Sequence, residues 1–251
     1  MKIKIIGTSS GRVSNNRNHT SFIISFDNQN MLVDAGDGVS RGLKQFNIDV
    51  TELDFILITH MHPDHFSGLG TLITQMKQQK RNKKLSIVLH TELKPGIESF
   101  LKNAYLIPER MNFDFEYIQL DYDREMNFSD NFSLIPKLNS HLDEYMENAS
   151  ENDLTLSSCS FLFKYADKNL FYTSDIAAED DLYLFNEHKI EHMISEVTHV
   201  NIEQIKKAAI KQNIKQVSLV HYPDENIEEL KISALKTRFI LQIDGDEFKL
   251  S

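Results

Sequence analysis

Residues 54–58 read DFILI, a short apolar run that ends directly in the turn THMHPDHFSG, residues 59–68. A run of this length with β-branched members reads as a strand buried on both faces. Such a strand needs cover on each side, which points to a layered chain.

The neighbouring patterns agree. KIKII (2–6), SFIISF (21–26) and NMLVD (30–34) read as strands, the last two joined as a hairpin at Asp27 and Asn28. LSIVLH (85–90), FEYIQL (115–120), FSLIPKL (132–138), SCSFLFKY (158–165), NLFYTS (169–174), HMIS (192–195), KQVSLVH (215–221) and RFILQI (238–243) extend the set. Between them, 39–46, 66–79 and 93–104 carry helical spacing. Asn201 with Gln204 forms a capping box for a helix to about residue 212, and Asp224 is the expected cap of a last helix. The expected fold is α/β, with sheets packed on each other and helices outside, in one domain over residues 1–251.

At 251 residues and 41% hydrophobic, the chain can bury a proper core. Its net charge of −10 weighs against a large nucleic-acid footprint, because phosphate contacts call for basic surfaces. KQQKRNKK (77–84) is a local exception. It reads as the solvated end of a helix, with a landing patch for a phosphate-bearing substrate as the alternative. The N-terminal MKIKIIGTSS lacks the apolar run of a secretion signal, and no segment approaches a membrane span. The single cysteine, Cys159, sits in an alternating strand and is expected to be a buried thiol in a reducing cytoplasm.

Of the ten histidines, His60, His62 and His65 fall in the one turn, with Asp64 among them. Imidazoles and a carboxylate at this spacing are metal-ligand chemistry suited to zinc, manganese or iron. Further candidates stand at other strand ends: His141, Asp175, His221, and the pair Glu196 and His199 in SEVTH. In α/β sheets, strand ends are where a crevice collects side chains.

In order and spacing, His60, His62, Asp64, His65, His141, Asp175 and His221 resemble the H-x-H-x-D-H…H…D…H pattern of the metallo-β-lactamase superfamily. The resemblance covers nearly the whole chain. It implies a four-layer αβ/βα sandwich with the site between two sheets. It implies two divalent ions, zinc or manganese: one held by His60, His62 and His141, the other by Asp64, His65 and His221, with Asp175 bridging. Asp34, in DAGDG, resembles the family's early Asp, which orders the metal loop without ligating. Hydroxide held between the ions would attack an ester.

The ligands alone do not choose between acyl and phosphoryl esters. A bridging Asp175, the DAGDGVSRGL stretch and SEVTH resemble the ribonuclease Z-like phosphodiesterase branch, with Ser195 where that branch has a histidine. Carried over, Glu196 would orient His199, and His199 would give a proton to the leaving oxygen. The expected catalytic residues are Asp64, Glu196 and His199. The stretch between His141 and Asp175 contains no Gly or Pro, so the arm that grips transfer RNA in ribonuclease Z is missing. A small nucleotide fits better, as in cyclic-nucleotide phosphodiesterases, including phage-type anti-Pycsar enzymes. A transfer RNA 3′ endonuclease and a lactonase or glyoxalase II-like thioesterase stand as alternatives. In AYLIPERMNFDFEY (104–117), Tyr105, Phe113 or Tyr117 either packs a helix on the sheet or forms a lid that stacks on a base, in its own subunit's site or in a partner's. Family relatives are commonly homodimers, so a homodimer is expected.

Overall fold

The computed structural model describes residues 1–237 and 239–250. The first-half strands are β1 (Lys2–Gly7), β2 (Ser21–Phe26), β3 (Gln29–Val33), β4 (Phe55–Ile58), β5 (Leu85–His90) and β6 (Phe115–Leu120). The second half contributes β7 (Met126–Asn127), β8 (Phe132–Leu138), β9 (Cys159–Tyr165), β10 (Lys168–Tyr172), β11 (His192–Glu196), β12 (Gln216–Val220), β13 (Ile240–Leu241) and β14 (Glu247–Lys249). They form two 7-stranded sheets, ordered β14-β1-β2-β3-β4-β5-β6 and β13-β12-β11-β10-β9-β8-β7. The helices are α1 (Val39–Gln45), α2 (Pro63–Phe66), α3 (Leu69–Gln78), α4 (Lys94–Asn103), α5 (Met146–Asn152), α6 (Ile202–Lys211) and α7 (Ile227–Thr237).

Strand alternation sorts the apolar residues into three cores. In β4, Phe55 and Leu57 face the other sheet, whereas Ile56 and Ile58 face the helices. Sheet one meets Val39 and Leu43 of α1, Leu72 and Ile73 of α3, and Ile97 and Leu101 of α4. Sheet two meets Ile202 and Ile205 of α6 and Leu230 and Ala234 of α7. Between the sheets, Phe22 packs edge-on against Tyr172 at 4.9 Å, and Phe26 stacks on Phe132 at 3.8 Å. The result is the expected helix–sheet–sheet–helix sandwich.

Parallel pairing sets where the strands end. β3 to β6 run parallel in sheet one, as do β10 to β13 in sheet two, with β8 parallel to β10 through the intervening antiparallel β9. The C-terminal ends of β3 and β4, and those of β8, β10, β11 and β12, therefore each gather on one edge of their sheet.

Local departures from the sequence reading have identifiable causes. The expected helix over 66–79 is two helices, broken at Ser67–Gly68. A Cβ on Gly68 would lie 2.2 Å from the Gly36 carbonyl oxygen, so the break is where the DAGDG turn presses on the chain. Asp224 does not cap the last helix through its side chain. Its carboxylate pairs with Arg17, and α7 starts only at Ile227. In the run 238–243, residues Ile240–Leu241 form strand, and Arg238 lies outside the described residues. The basic run 77–84 is largely structural. Arg81 is buried and donates to the carbonyls of Thr51 and Lys84, while Lys83 pairs with Asp54 and Lys84 with Glu116. Phe113 is buried in the helix-side core and Tyr117 packs against it, so neither forms a lid; Tyr105 is exposed. Cys159 is buried, and burial pushes its thiol up. Among the described residues, no helix is long and apolar enough to cross a membrane.

His192, on β11, is 2% exposed and stacks on Phe248, with its Nε2 2.8 Å from the Ser218 hydroxyl. Burial holds its imidazole at about 4, below the ordinary 6.5. Between those values the unfolded chain takes a proton that the folded chain refuses. This contribution to stability is therefore complete above pH 6.5 and lost as pH falls toward 4. Over that window, a His192→Gln variant is expected to lose about 3 kcal/mol less stability than the native chain, read from urea melts at pH 7, 5.5 and 4.5.

Candidate metal centre

Asp34 follows β3 directly and is fully buried. Its Oδ1 accepts from the Thr59 backbone at 2.9 Å. Its Oδ2 accepts from the Thr59 hydroxyl at 3.1 Å, from His65 Nδ1 at 2.8 Å and, at 3.4 Å, from the Tyr172 hydroxyl of sheet two. The Ala35 amide donates to the His65 carbonyl at 2.7 Å, and a Cβ on Gly36 would lie 1.8 Å from the Asp64 carbonyl. Only glycine permits that approach. The DAGDG turn therefore clamps the histidine turn, and His65 Nε2 is left facing away from Asp34.

The clamp and the strand ends bring two clusters together. Ligand atoms of His60, His62 and His141 lie within 4.8 Å of one another, as do those of Asp64, His65, Asp175 and His221. His141 Nε2 stands 3.0 Å from His62 Nδ1. Asp175 Oδ2 lies 3.4 Å from His65, 3.2 Å from His221 and 3.8 Å from His141, and so touches both clusters. His221 Nε2 is 3.2 Å from Asp64 Oδ2. Asp34, Ser174 and His221 all have positive φ, at 60°, 54° and 53°. Non-glycine residues in this region carry strain of order 1–3 kcal/mol each, which persists where surrounding contacts over-determine it.

The donor set fits divalent cations. His60 Nε2, His65 Nε2 and Asp175 Oδ1 are buried without a hydrogen-bond partner, an arrangement that is costly unless something else satisfies them. Burial holds His60 well below its ordinary value and His141 down at about 4, so both rings keep free lone pairs at neutral pH. His65 resists burial and is raised by Asp175 and Asp34. Burial pushes Asp64 up, but the neighbouring imidazoles of His221 and His65 outweigh it and hold the carboxylate ionised. The ring nitrogens facing away from the cluster are tied back, His60 Nδ1 to the Thr59 hydroxyl at 3.0 Å and His221 Nδ1 to the Thr198 hydroxyl at 3.1 Å.

Glu196 ends β11 and is 1% exposed. Its Oε2 accepts from the backbone of Thr198 at 2.6 Å and of His199 at 2.9 Å, and its Oε1 lies 3.1 Å from His199 Nδ1. One carboxylate thus shapes the turn and holds the ring. The hydrogen bond to Glu196 raises His199 above its ordinary value against the effect of burial. The His199 ring stands 5.1 Å from that of His141 at the cleft wall.

Sequence reasoning missed three contributors. Asn139 donates to the Asp175 carbonyl at 2.9 Å and accepts from the His141 amide at 3.2 Å, tying two candidate ligands together. Thr198 donates to the His221 carbonyl at 2.6 Å. Arg17 lies over the Tyr222 ring at 4.2 Å and donates to the carbonyls of Thr8 and Tyr222, fixing the segment after His221. Asn two residues before His141 is a turn-forming signal that could have found the first; the other two contacts span distant segments. None of Tyr105, Phe113 and Tyr117 lines the cleft.

Two stacked sheets with a histidine–aspartate cleft at their shared edge form the metallo-β-lactamase fold, and the family and relatives that the chain matches place it among the ribonuclease Z-like hydrolases of that superfamily. The fold superposes on human tRNase Z, short form, with a TM-score of 0.76 at 16% identity over all of both chains. It superposes on the metallo-beta-lactamase fold protein YhfI from Bacillus subtilis with a TM-score of 0.77 at 19% identity over 98% of each. The family described as Anti-Pycsar protein Apyc1 matches residues 1–244, and the chain belongs to it. Ribonuclease Z from Archaeoglobus fulgidus is 32% identical over 143 residues, which are 56% of this chain and 44% of that protein. The chain thus spans less than half the length of this curated relative.

Replacing Asp34 with Asn keeps the shape and removes the charge that His65 Nδ1 faces. The expected outcome is a divalent-ion affinity lower by roughly 10–100-fold, with far-UV circular dichroism unchanged. Competition against a chromophoric chelator reads the affinity, and native affinity in the variant would refute the clamp's role.

Proposed function

We propose that the chain is a phosphodiesterase that uses two divalent ions, zinc or manganese, to open a small 3′,5′-cyclic nucleotide. One observation carries the reading: the buried Glu196 holds His199 at the wall of a cleft whose floor is the two His/Asp clusters. The family's printed description supports it, as does the absence of Gly and Pro between His141 and Asp175, where an RNA-gripping arm would stand.

His60, His62 and His141 would hold one ion, and Asp64, His65 and His221 the other, with Asp175 shared. When bound, such a pair supplies Lewis-acid stabilisation of phosphoryl oxygens and a water of lowered pKa. The protein's own residues do the rest. Asp34 fixes the His65 tautomer, so that Nε2 presents its lone pair to the cleft. Asp64, half-buried beside His221, keeps a charged carboxylate at the reacting end. His199 donates a proton to the leaving oxygen, and Glu196 orients the ring and stabilises its charged form. A cytoplasmic homodimer completes this reading, and sedimentation equilibrium tests the dimer.

The name of the archaeal relative favours one competitor, transfer RNA 3′ processing. A plate of purine and pyrimidine 3′,5′-cyclic nucleotides, a precursor transfer RNA and a lactone, with zinc or manganese supplied, separates the readings. Metal-dependent opening of a cyclic nucleotide is expected, lost on chelation. His199→Ala is expected to lower kcat by about 10²–10⁴ while retaining bound metal. Cleavage of the RNA or the lactone alone would sink the cyclic-nucleotide reading.

A further inference from the structure

The cleft above the metal centre has a volume of about 480 Å³, room for one nucleotide. Its inner carboxylates, Asp64 and Asp175, lie among imidazoles and face the candidate cation positions. Its mouth is different. Glu144, in the turn after His141, is exposed, lines the cleft and acts on both His62 and His199 through its charge. Glu225, in the turn after His221, lines it too. Among the described residues lining the cleft, Arg12 is the one guanidinium or ammonium group, and it is engaged by Glu225. A second clasp, Arg17 to Asp224 at 2.5 Å, holds the same two segments together below it.

Proteins that take polyanions meet them with unpaired Lys and Arg. This mouth presents the opposite arrangement: its one guanidinium is paired with Glu225 at the surface, and among the described residues Glu144 has no Lys or Arg within ion-pair distance. We propose that Glu144 and Glu225 make the mouth a charge filter, admitting singly charged phosphodiesters and turning away ligands with further phosphates. The substrate half of this statement rests on the phosphodiesterase reading above, whereas the filter is a property of the rim. It assigns specificity to two carboxylates outside the candidate ligands and the Glu196–His199 pair; because Glu144 also bears on His62 and His199 through its charge, the quantity read is a ratio between two ligands, in which a common effect on the centre cancels.

The test compares ligands that differ by one added phosphate, and the salt dependence of the difference isolates its charge from its bulk. Thymidine 5′-(p-nitrophenyl phosphate) carries one charge; its 3′-phosphorylated form carries two more. The measured quantity is the ratio of kcat/KM values, charged form over plain form. Glu144→Gln and Glu225→Gln are each expected to raise this ratio by roughly three- to ten-fold at low salt, and less at high salt. Glu225→Gln also frees Arg12, which acts in the same direction. Arg12→Ala leaves Glu225 uncompensated and is expected to lower the ratio. If Arg12 were instead an anchor for extra phosphates, Glu225→Gln and Arg12→Ala would still diverge, but Glu144→Gln would leave the ratio fixed; that outcome overturns the filter.

A parallel measurement does not depend on turnover. Calorimetric titration of the metal-loaded protein with thymidine 3′-phosphate and thymidine 3′,5′-bisphosphate gives an affinity ratio. The Glu144→Gln, Glu225→Gln double variant is expected to shift it toward the bisphosphate by roughly ten-fold or more. A shift without phosphodiester cleavage would refute the enzymatic reading and leave the filter standing. Cleavage with an unshifted ratio would do the reverse. Thermal melts of the variants exclude misfolding as a cause.

Discussion

Everything at the candidate centre hangs on one buried carboxylate. Asp34 receives hydrogen bonds from the first residue of the histidine turn, from the ring of His65 and from Tyr172 of the opposite sheet. A fully buried charge is tolerable only when its lone pairs are satisfied. Here those partners come from two segments, the histidine turn and β10, which with the end of β3 makes three that meet. The requirement to satisfy Asp34 is therefore also a requirement that β3, the turn after β4 and β10 sit in one arrangement. Fold and centre thus share hydrogen bonds at this carboxylate.

Around that point the sandwich acts as a collecting device. The candidate ligands stand on the turns that leave strand ends, with Asp64 and His65 in α2 just beyond, so their placement follows from strands locked between apolar cores. What remains free at each end is the last dihedral or two. Asp34, Ser174 and His221 adopt positive φ at these ends, and bonds such as Thr198 to the His221 carbonyl and Asn139 to the Asp175 carbonyl brace the turns. Rigid strands carry the coarse placement, and short polar side chains carry the fine one.

Much of this was legible in the chain. Apolar alternation marked most strands, because burial on a pleated face leaves a period of two. The seven histidines and aspartates were readable because metal chemistry restricts residue types so strongly. Several elements were not readable. Pairs such as β7 and β14 are too short to show periodicity, and α5 has no buried residue to mark a face. The break between α2 and α3 depends on Gly36 approaching from a distant turn. Asp224 looked like a cap because its local sequence permits one; Arg17, more than 200 positions away, offers it a better partner. Phe113 looked available for a base and proved to be core, since aromatic residues near a site read the same whether they face in or out.

Sequence distance within the centre also bears on how the molecule is made. Asp64 and His221 face each other at 3.2 Å yet are 157 positions apart. During synthesis the turn carrying His60, His62, Asp64 and His65 emerges long before the strands bearing His141, Asp175 and His221. For that interval neither His/Asp cluster can be complete, because each needs residues from the second half. Non-local sheet pairing is slow relative to local structure, so both His/Asp clusters are completed late, when sheet two closes over sheet one and brings His141, Asp175 and His221 to the histidine turn.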